Sequence, residues 1–163
     1  MTVASTVAAV TRALRRAGVA RSPSTDARIL VAHALWGRDD PASSAWELQQ
    51  RILLHGITDT FPPSGNARAW LDAATRRRCA FEPVAYITGR HEFFGLPFTV
   101  ADAGDRVLVP RPDSETLVTA ALEGMVAGDD DDGRRHRVLD LGTGSGALLV
   151  AFMHAARKQC GAM

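Results

Sequence analysis

Val138-Leu139-Asp140-Leu141-Gly142-Thr143-Gly144-Ser145-Gly146-Ala147 is the stretch on which the reading of this chain turns. Val138 to Leu141 is a short apolar run interrupted by one carboxylate, the pattern of a buried strand, and Ala147 to Ala156 reads as an apolar helix. A strand, a glycine turn and a helix N-terminus in that order bring backbone close to a ligand and aim free N–H groups at its polar end. Gly142, Gly144 and Gly146 allow that approach, because a β-carbon there would fill ligand space or forbid the turn. Asp140, at the carboxyl end of the strand, is placed to meet a cationic or hydrogen-bonding group, and an α-amino group qualifies.

The glycines alone do not choose the ligand. The same residues satisfy G-x-G-x-x-A, the pattern of a nicotinamide or flavin nucleotide site, and a glycine turn can also be purely structural. In the dinucleotide case an anionic pyrophosphate sits over the helix terminus, where Asp140 has no task. Where the ligand is a sulfonium methyl donor carrying an amino group, the carboxylate has one.

Working outward, Asp129 to Asp132 with Gly133, Arg134 and Arg135 is charged and free of apolar residues, and reads as a solvated loop. Before it a helix is expected, capped by Asp113 or Ser114, with Leu117, Val118, Ala121 and Leu122 facing inward. Pro110, Arg111 and Pro112 fit neither a central strand nor a helix interior and predict a rigid turn. Upstream of that turn Val84 to Ile87, Glu92 to Phe94, Phe98 to Val100 and Val107 to Val109 are aromatic and β-branched, punctuated by Gly89, Gly95 and Pro97. Extended strands or a hairpin are the natural expectation.

The first part of the chain is helical in pattern. Val3, Val7, Val10 and Leu14 recur at helical spacing, Leu30, Val31, Ala34 and Leu35 form one stripe, and Leu48, Ile52 and Leu53 another. Ser24 or Thr25 can cap one of these helices and Gly37 can end it. Phe61 to Asn66, with paired prolines and a glycine, predicts a turn before a last helix over Ala67 to Cys79. The chain thus divides into a helical bundle over residues 1–80, a β-hairpin linker over 81–112, and the strand, turn and helix over 113–163.

With 46% apolar and 23% charged residues the chain is built to bury a core, and its formal net charge of +1 argues against wholesale binding of nucleic acid. Cys79 and Cys160 stand apart without metal-like neighbours, which fits a reducing compartment rather than a disulfide or zinc framework. Arginines or prolines interrupt every apolar run before it could cross a bilayer. Arg12, Arg15, Arg16 and Arg21 precede the first acidic residue, Asp26, a composition also found in organellar leaders, but the helical spacing of Val3 to Leu14 favours a structural helix. His33, His55, His91, His136 and His154 share no ligand spacing, and Ser114 and Ser145 have no histidine placed to activate them. Arg76, Arg77 and Arg78 read as a solvated helix end, and Trp36, Trp46 and Trp70 as core packing.

A second set of blocks narrows the choice. Glu82 to Gly89, Glu92 to Leu96 and Val107 to Val118, which contains Pro110-Arg111-Pro112, occur in the order found in the release-factor glutamine methyltransferases, often called PrmC or HemK, and Asp26 to His33 is similar to part of that family's N-terminal helical domain. The resemblance runs from about residue 5 to about residue 152 and is carried more by the proline-arginine-proline stretch than by the glycines. It implies an α/β protein: a small N-terminal helical bundle, a β-hairpin linker, and the first strand-turn-helix of a Rossmann-like class I methyltransferase domain.

The resemblance also implies an activity. Its members transfer the methyl group of S-adenosylmethionine to the side-chain amide of the glutamine in the Gly-Gly-Gln motif of peptide chain release factors, the helical domain helping to grip the release factor. Carried over residue by residue, Asp140, Gly142, Thr143, Gly144, Ser145 and Gly146 hold the methyl donor, and Pro110, Arg111 and Pro112 line the region beside it. The family grips the acceptor amide with an Asn-Pro-Pro-Tyr motif, and this chain contains no Asn-Pro pair. The acidic residue that binds the donor's ribose at the end of the family's second strand is also missing. The expectation is a chain truncated after its first donor-binding motif and inactive alone, with no catalytic residue of its own. It would be a monomer of the cytoplasm, or of the mitochondrion in a eukaryote, with neither membrane nor direct nucleic-acid contact. The competing expectation is a non-catalytic module that recognises a release factor or another protein.

Overall fold

A computed structural model describes residues 1–19, 21–37, 50–52, 59–62, 64–102, 105–127 and 137–160. Its contacts divide into two units, Met1–Arg90 and His91–Met163. The first holds helices α1 (Val3–Arg16), α2 (Pro23–Ala32), α3 (Asn66–Cys79) and α4 (Val84–Thr88), with a π-helical turn, His33–Gly37, continuing α2.

Helix α1 starts where the Thr2 hydroxyl accepts the Ser5 N–H at 3.1 Å, which satisfies one of the free donors of the first turn. It buries Val3, Val10 and Leu14. Helix α2 is started differently from the expectation: neither Ser24 nor Thr25 caps it. Ser22 lies outside in the left-handed region without a capping bond, and Pro23 takes the first position, where its fixed φ suits the helix and its missing N–H costs nothing. Gly37 is the last residue of that π-helical turn, and space requires glycine there: a β-carbon would stand 2.5 Å from His33 Nδ1. The His33 ring in turn stacks on Trp70 at 4.8 Å.

The core of this unit is built from Val3, Leu14, Leu30, Val31 and Phe61, all fully buried, with Leu71 and Ile52 beside them. Trp36 and Trp70 pack against it; Leu48, Leu53 and Trp46 lie outside the described residues. Phe61, expected in a turn, is instead core, because residues 59–61 run alongside the N-terminus. The Val3 N–H donates to the Asp59 carbonyl and the Phe61 N–H to the Met1 carbonyl, each at 2.9 Å.

Two expectations about charge and strand are corrected here. Val84 to Ile87 form α4 rather than a strand, with Pro83 at the N-cap and Ile87 buried. The β-branched preference of this stretch yields to burial of Ile87 in the helical core. By its contacts the first unit runs to Arg90. Of the arginines at the end of α3, Arg76 and Arg77 are exposed as expected, but Arg78 is not solvated. Arg78 Nε donates to Asp26 Oδ2 at 2.7 Å, with both side chains mostly buried, and Arg77 makes a two-pronged pair with Glu82 at 2.6 and 2.8 Å. The Glu82 carboxylate pushes the Arg77 pKa up from its ordinary value through that bond.

The second unit carries strand β1 (Arg90–Phe93) from its second residue onward, strands β2 (Leu96–Thr99), β3 (Ala101–Asp102) and β4 (Asp105–Arg106), a short 3-10 turn at Pro112–Ser114, and helices α5 (Glu115–Ala127) and α6 (Ala147–Cys160). β1 pairs with β2, and β3 with β4 in antiparallel register, Ala101 opposite Arg106. Phe94 and Gly95 connect the first pair, both at positive φ (53° and 71°), the torsions a two-residue hairpin turn requires. Val107 to Val109 add no further strand; the Val107 N–H donates to the Val100 carbonyl at 3.0 Å and the ladder stops there.

Asp113 and Ser114 fall inside the 3-10 turn that leads directly into α5. Of the stripe expected to face inward on α5, Val118 and Leu122 are buried, whereas Leu117 and Ala121 are exposed. Phe93 and Phe98 meet edge to face at 6.4 Å and pack with Val118, Leu122, Ala147, Ala151 and Phe152 into one core. Val138 to Leu141, expected as a buried strand, is not one: Leu139 and Leu141 are 80% and 84% exposed. A strand exists only through its neighbours, and among the described residues this segment pairs with none. The charged stretch Asp129 to Arg135 lies outside the described residues.

Candidate functional site

Gly142, Gly144 and Gly146 all sit at positive φ, 76°, 55° and 76°. An L side chain in that region is strained by about 1 to 2 kcal/mol per residue, so the turn requires glycine for its torsions. Space is not the obstacle: a β-carbon on Gly142 would meet nothing within 4 Å. The cradle is open at the point where close approach of a ligand was expected. The turn closes on itself through the Gly146 N–H, which donates to the Thr143 carbonyl at 2.8 Å, and α6 begins as the Val150 N–H bonds back to the Gly146 carbonyl at 3.0 Å.

Asp140 is held over the same turn. Its Oδ2 accepts the Thr143 hydroxyl at 2.9 Å, which fixes the carboxylate rotamer. A carboxylate offers about four acceptor positions, so this bond leaves capacity for an ammonium or hydroxyl donor from outside. Asp140, Ser145 and Gly146 are half-buried, and Gly142, Thr143 and Gly144 are exposed. An open main-chain turn with a pinned acceptor beside it suits a ligand that combines an amino group with hydroxyls.

Next to Asp140 lies an apolar groove of about 150 Å³, lined by residues of α5 and α6 together with Val138 and Leu139. That is below the roughly 300 Å³ at which small-molecule sites begin. Pro110, Arg111 and Pro112 are not among its lining residues. Pro110 is half-buried, and Arg111 and Pro112 are exposed. The described structure therefore joins Asp140 to the glycine turn by a bond and does not bring the proline turn into the same groove.

Two bonds that local spacing does not announce hold the proline turn. The Phe94 N–H donates to Glu115 Oε1 at 2.9 Å, and the His91 ring bonds to the backbone of Pro110. Burial pulls the His91 pKa below its ordinary value, while the Pro110 carbonyl and the carboxylates of Glu92 and Glu115 oppose that pull. Nothing in the residue types announces these bonds, because both depend on which segments the hairpin folds against. No group of three histidine, cysteine, aspartate or glutamate side chains converges among the described residues, and none of the described helices is long and apolar enough to cross a membrane.

Comparison with known proteins places the chain in a family. The sequence model described as the PrmC N-terminal domain matches residues 6–89. A release factor glutamine methyltransferase of Burkholderia pseudomallei is 43% identical over 128 residues, 78% of this chain and 37% of that protein. Proteins of the same name from Deinococcus radiodurans and Vibrio cholerae are 39% and 34% identical, over 89% and 93% of this chain and 44% and 45% of theirs. The chain spans less than half the length of these relatives. With a family match over more than half of its 163 residues and relatives that extend past the glycine turn, the chain belongs to the PrmC family.

Proposed function

We propose that this chain binds S-adenosylmethionine through Asp140, Gly142, Thr143, Gly144, Ser145 and Gly146 and belongs to an enzyme that methylates the glutamine amide of the Gly-Gly-Gln motif in peptide chain release factors. The observation that carries the reading is the turn itself: three left-handed glycines at alternate positions, Gly142 and Gly144 exposed and Gly146 half-buried, with the Asp140 carboxylate bonded to the Thr143 hydroxyl beside them. The names of the relatives add the substrate class.

In this reading each part of the site has a task. The Asp140 carboxylate receives the ammonium of the donor's amino acid, and the main-chain N–H groups of the turn meet its polar atoms, aided by the positive end of α6. When bound, S-adenosylmethionine supplies an electrophilic sulfonium methyl. No residue here has to act as acid, base or nucleophile, because positioning and electrostatics carry methyl transfer. Pro110, Arg111 and Pro112 border the donor, and the helical unit meets the release factor. Because the chain contains no Asn-Pro-Pro-Tyr motif to hold the acceptor amide, these 163 residues bind the donor without turning it over. The protein acts as a monomer in the cytoplasm, or in the mitochondrion of a eukaryote, away from membranes and without direct nucleic-acid contact.

Calorimetric titration tests this. The chain should take up S-adenosylmethionine, and Asp140→Ala should weaken uptake by about tenfold or more, the loss of one charged hydrogen bond. Absence of binding to S-adenosylmethionine together with binding of a nicotinamide dinucleotide would replace the reading with a dinucleotide site.

A further inference from the structure

The proline turn is bracketed from both sides by one short stretch of the hairpin. Pro110 and Glu115 flank Arg111 to Ser114, and each is bonded to a residue of β1 or the turn that follows it. The His91 ring N–H donates to the Pro110 carbonyl, and the Phe94 N–H donates to the Glu115 carboxylate at 2.9 Å. Between these two anchors the segment is closed by its own bonds, the Ser114 N–H to the Arg111 carbonyl at 2.9 Å and the Thr116 hydroxyl to the Asp113 carbonyl at 2.6 Å. A four-residue segment fixed at both ends and bonded internally has little freedom left.

The second anchor is unusual in its chemistry. A carboxylate in the first turn of α5 is normally satisfied by that helix's own N–H groups and its dipole. Glu115 instead reaches a residue 21 positions away in sequence, and Phe94 is a non-glycine in the left-handed region, φ 53°. A charged acceptor on its N–H holds that residue in a torsion it otherwise avoids. Phe93, next to it, is buried in the core formed with α5 and α6, and α6 is the helix that carries the glycine turn on its N-terminus. The hairpin is therefore built into the scaffold of the candidate site.

We propose that Glu115 and His91 are positioning residues: together they latch the hairpin to the proline turn and so fix the start of α5, whose Leu117, Val118 and Ala121 line the groove that reaches Asp140. The proposal rests on the donor-binding reading given above. It predicts that loosening the latch weakens donor binding although neither residue touches the donor.

The test uses the full 163-residue chain, with donor affinity from calorimetry and opening of the Phe94 amide from hydrogen exchange. Glu115→Ala should speed exchange at Phe94 and weaken S-adenosylmethionine binding by about fivefold to tenfold, the effect of losing one charge-assisted bond. Glu115→Gln, whose side-chain carbonyl still accepts, should stay within about twofold of the parent. His91→Ala should fall between the two. Should Glu115→Ala unfold, Glu115→Asp keeps the charge one methylene short and should show the same weakening in a folded chain. If Glu115→Ala speeds exchange at Phe94 yet binds the donor as the parent does, the latch is structural only and the proposal is overturned. If the parent chain itself binds no donor, the reading of the site fails first, and the two failures are told apart by that control.

Discussion

The two units of this protein solve the same problem with opposite success. In Met1–Arg90 the apolar stripes of the helices close on each other, and Val3, Leu14, Leu30, Val31 and Phe61 have no exposed surface. In His91–Met163 a compact core forms around Phe93, Phe98, Val118 and Phe152, but Leu117, Val138, Leu139 and Leu141 stay in solvent. The difference is one of backbone chemistry. A helix satisfies its own N–H and C=O groups and needs partners only for its side chains, whereas Val138 to Leu141 can become a strand only when another strand supplies hydrogen bonds. Segments distant in sequence close the first unit by side-chain packing, whereas Val138 to Leu141 in the second pairs with no strand among the described residues.

The sharpest way to break this comparison is to cut into the closed core. Leu30→Ala should cost about 3 to 4 kcal/mol, read from urea unfolding by tryptophan fluorescence. All three tryptophans, Trp36, Trp46 and Trp70, fall within the first unit, so that signal reports on it alone. Asp26→Ala should come next, at about 2 to 3 kcal/mol, because it leaves the mostly buried Arg78 guanidinium without its carboxylate. A double-mutant cycle with Arg78→Ala separates the pair from the packing of the arginine stem.

Effects in the second unit should be smaller in stability and larger in binding. Gly142→Ala should cost about 1 to 2 kcal/mol from torsion alone and abolish donor uptake in the same calorimetric assay. His91 makes the stability of its unit depend on pH. Burial sets its folded pKa below the ordinary 6.5, so the unfolded chain binds the proton more readily. The stabilisation is therefore complete above pH 6.5 and is lost as acidification passes the folded pKa. His91→Leu should flatten that slope in hydrogen exchange measured at β1. Leu139→Ala should do least, within about 0.5 kcal/mol; a cost comparable to that of Leu30→Ala would show that the two apolar surfaces are not distinguished by exposure.

Much of this was legible in the residues, and the gaps have physical causes. The periodic helices α1 and α3 and the hairpin turn at Gly95 are written in local spacing, and the glycine turn with its carboxylate is written in residues 138–147. Three of the departures show why the rest was not legible. Val84 to Ile87 carry strand-forming residues but become α4, since Ile87 finds its burial in a helical core that no local pattern describes. Arg78 looked like surface charge because its partner, Asp26, lies 52 residues away. The bonds from His91 and Phe94 to the proline turn were hidden for the same reason, since each joins segments whose meeting depends on the fold. Spacing reports what a segment can be, and long-range pairs decide what it becomes.

Gly37 and Gly142 are both irreplaceable by ordinary alanine, for opposite reasons: one lacks room beside an imidazole, and the other has room but an unsuitable torsion. Chirality separates them. In a chemically assembled chain, a D-alanine at 142 would rest in its relaxed backbone region and leave the bend intact, while at 37 the mirror-image residue would trade a collision for a strained torsion. Handedness, rather than size, is what the polypeptide has to avoid at the candidate ligand turn, and a chemist could exploit that to fill the hollow without unwinding it.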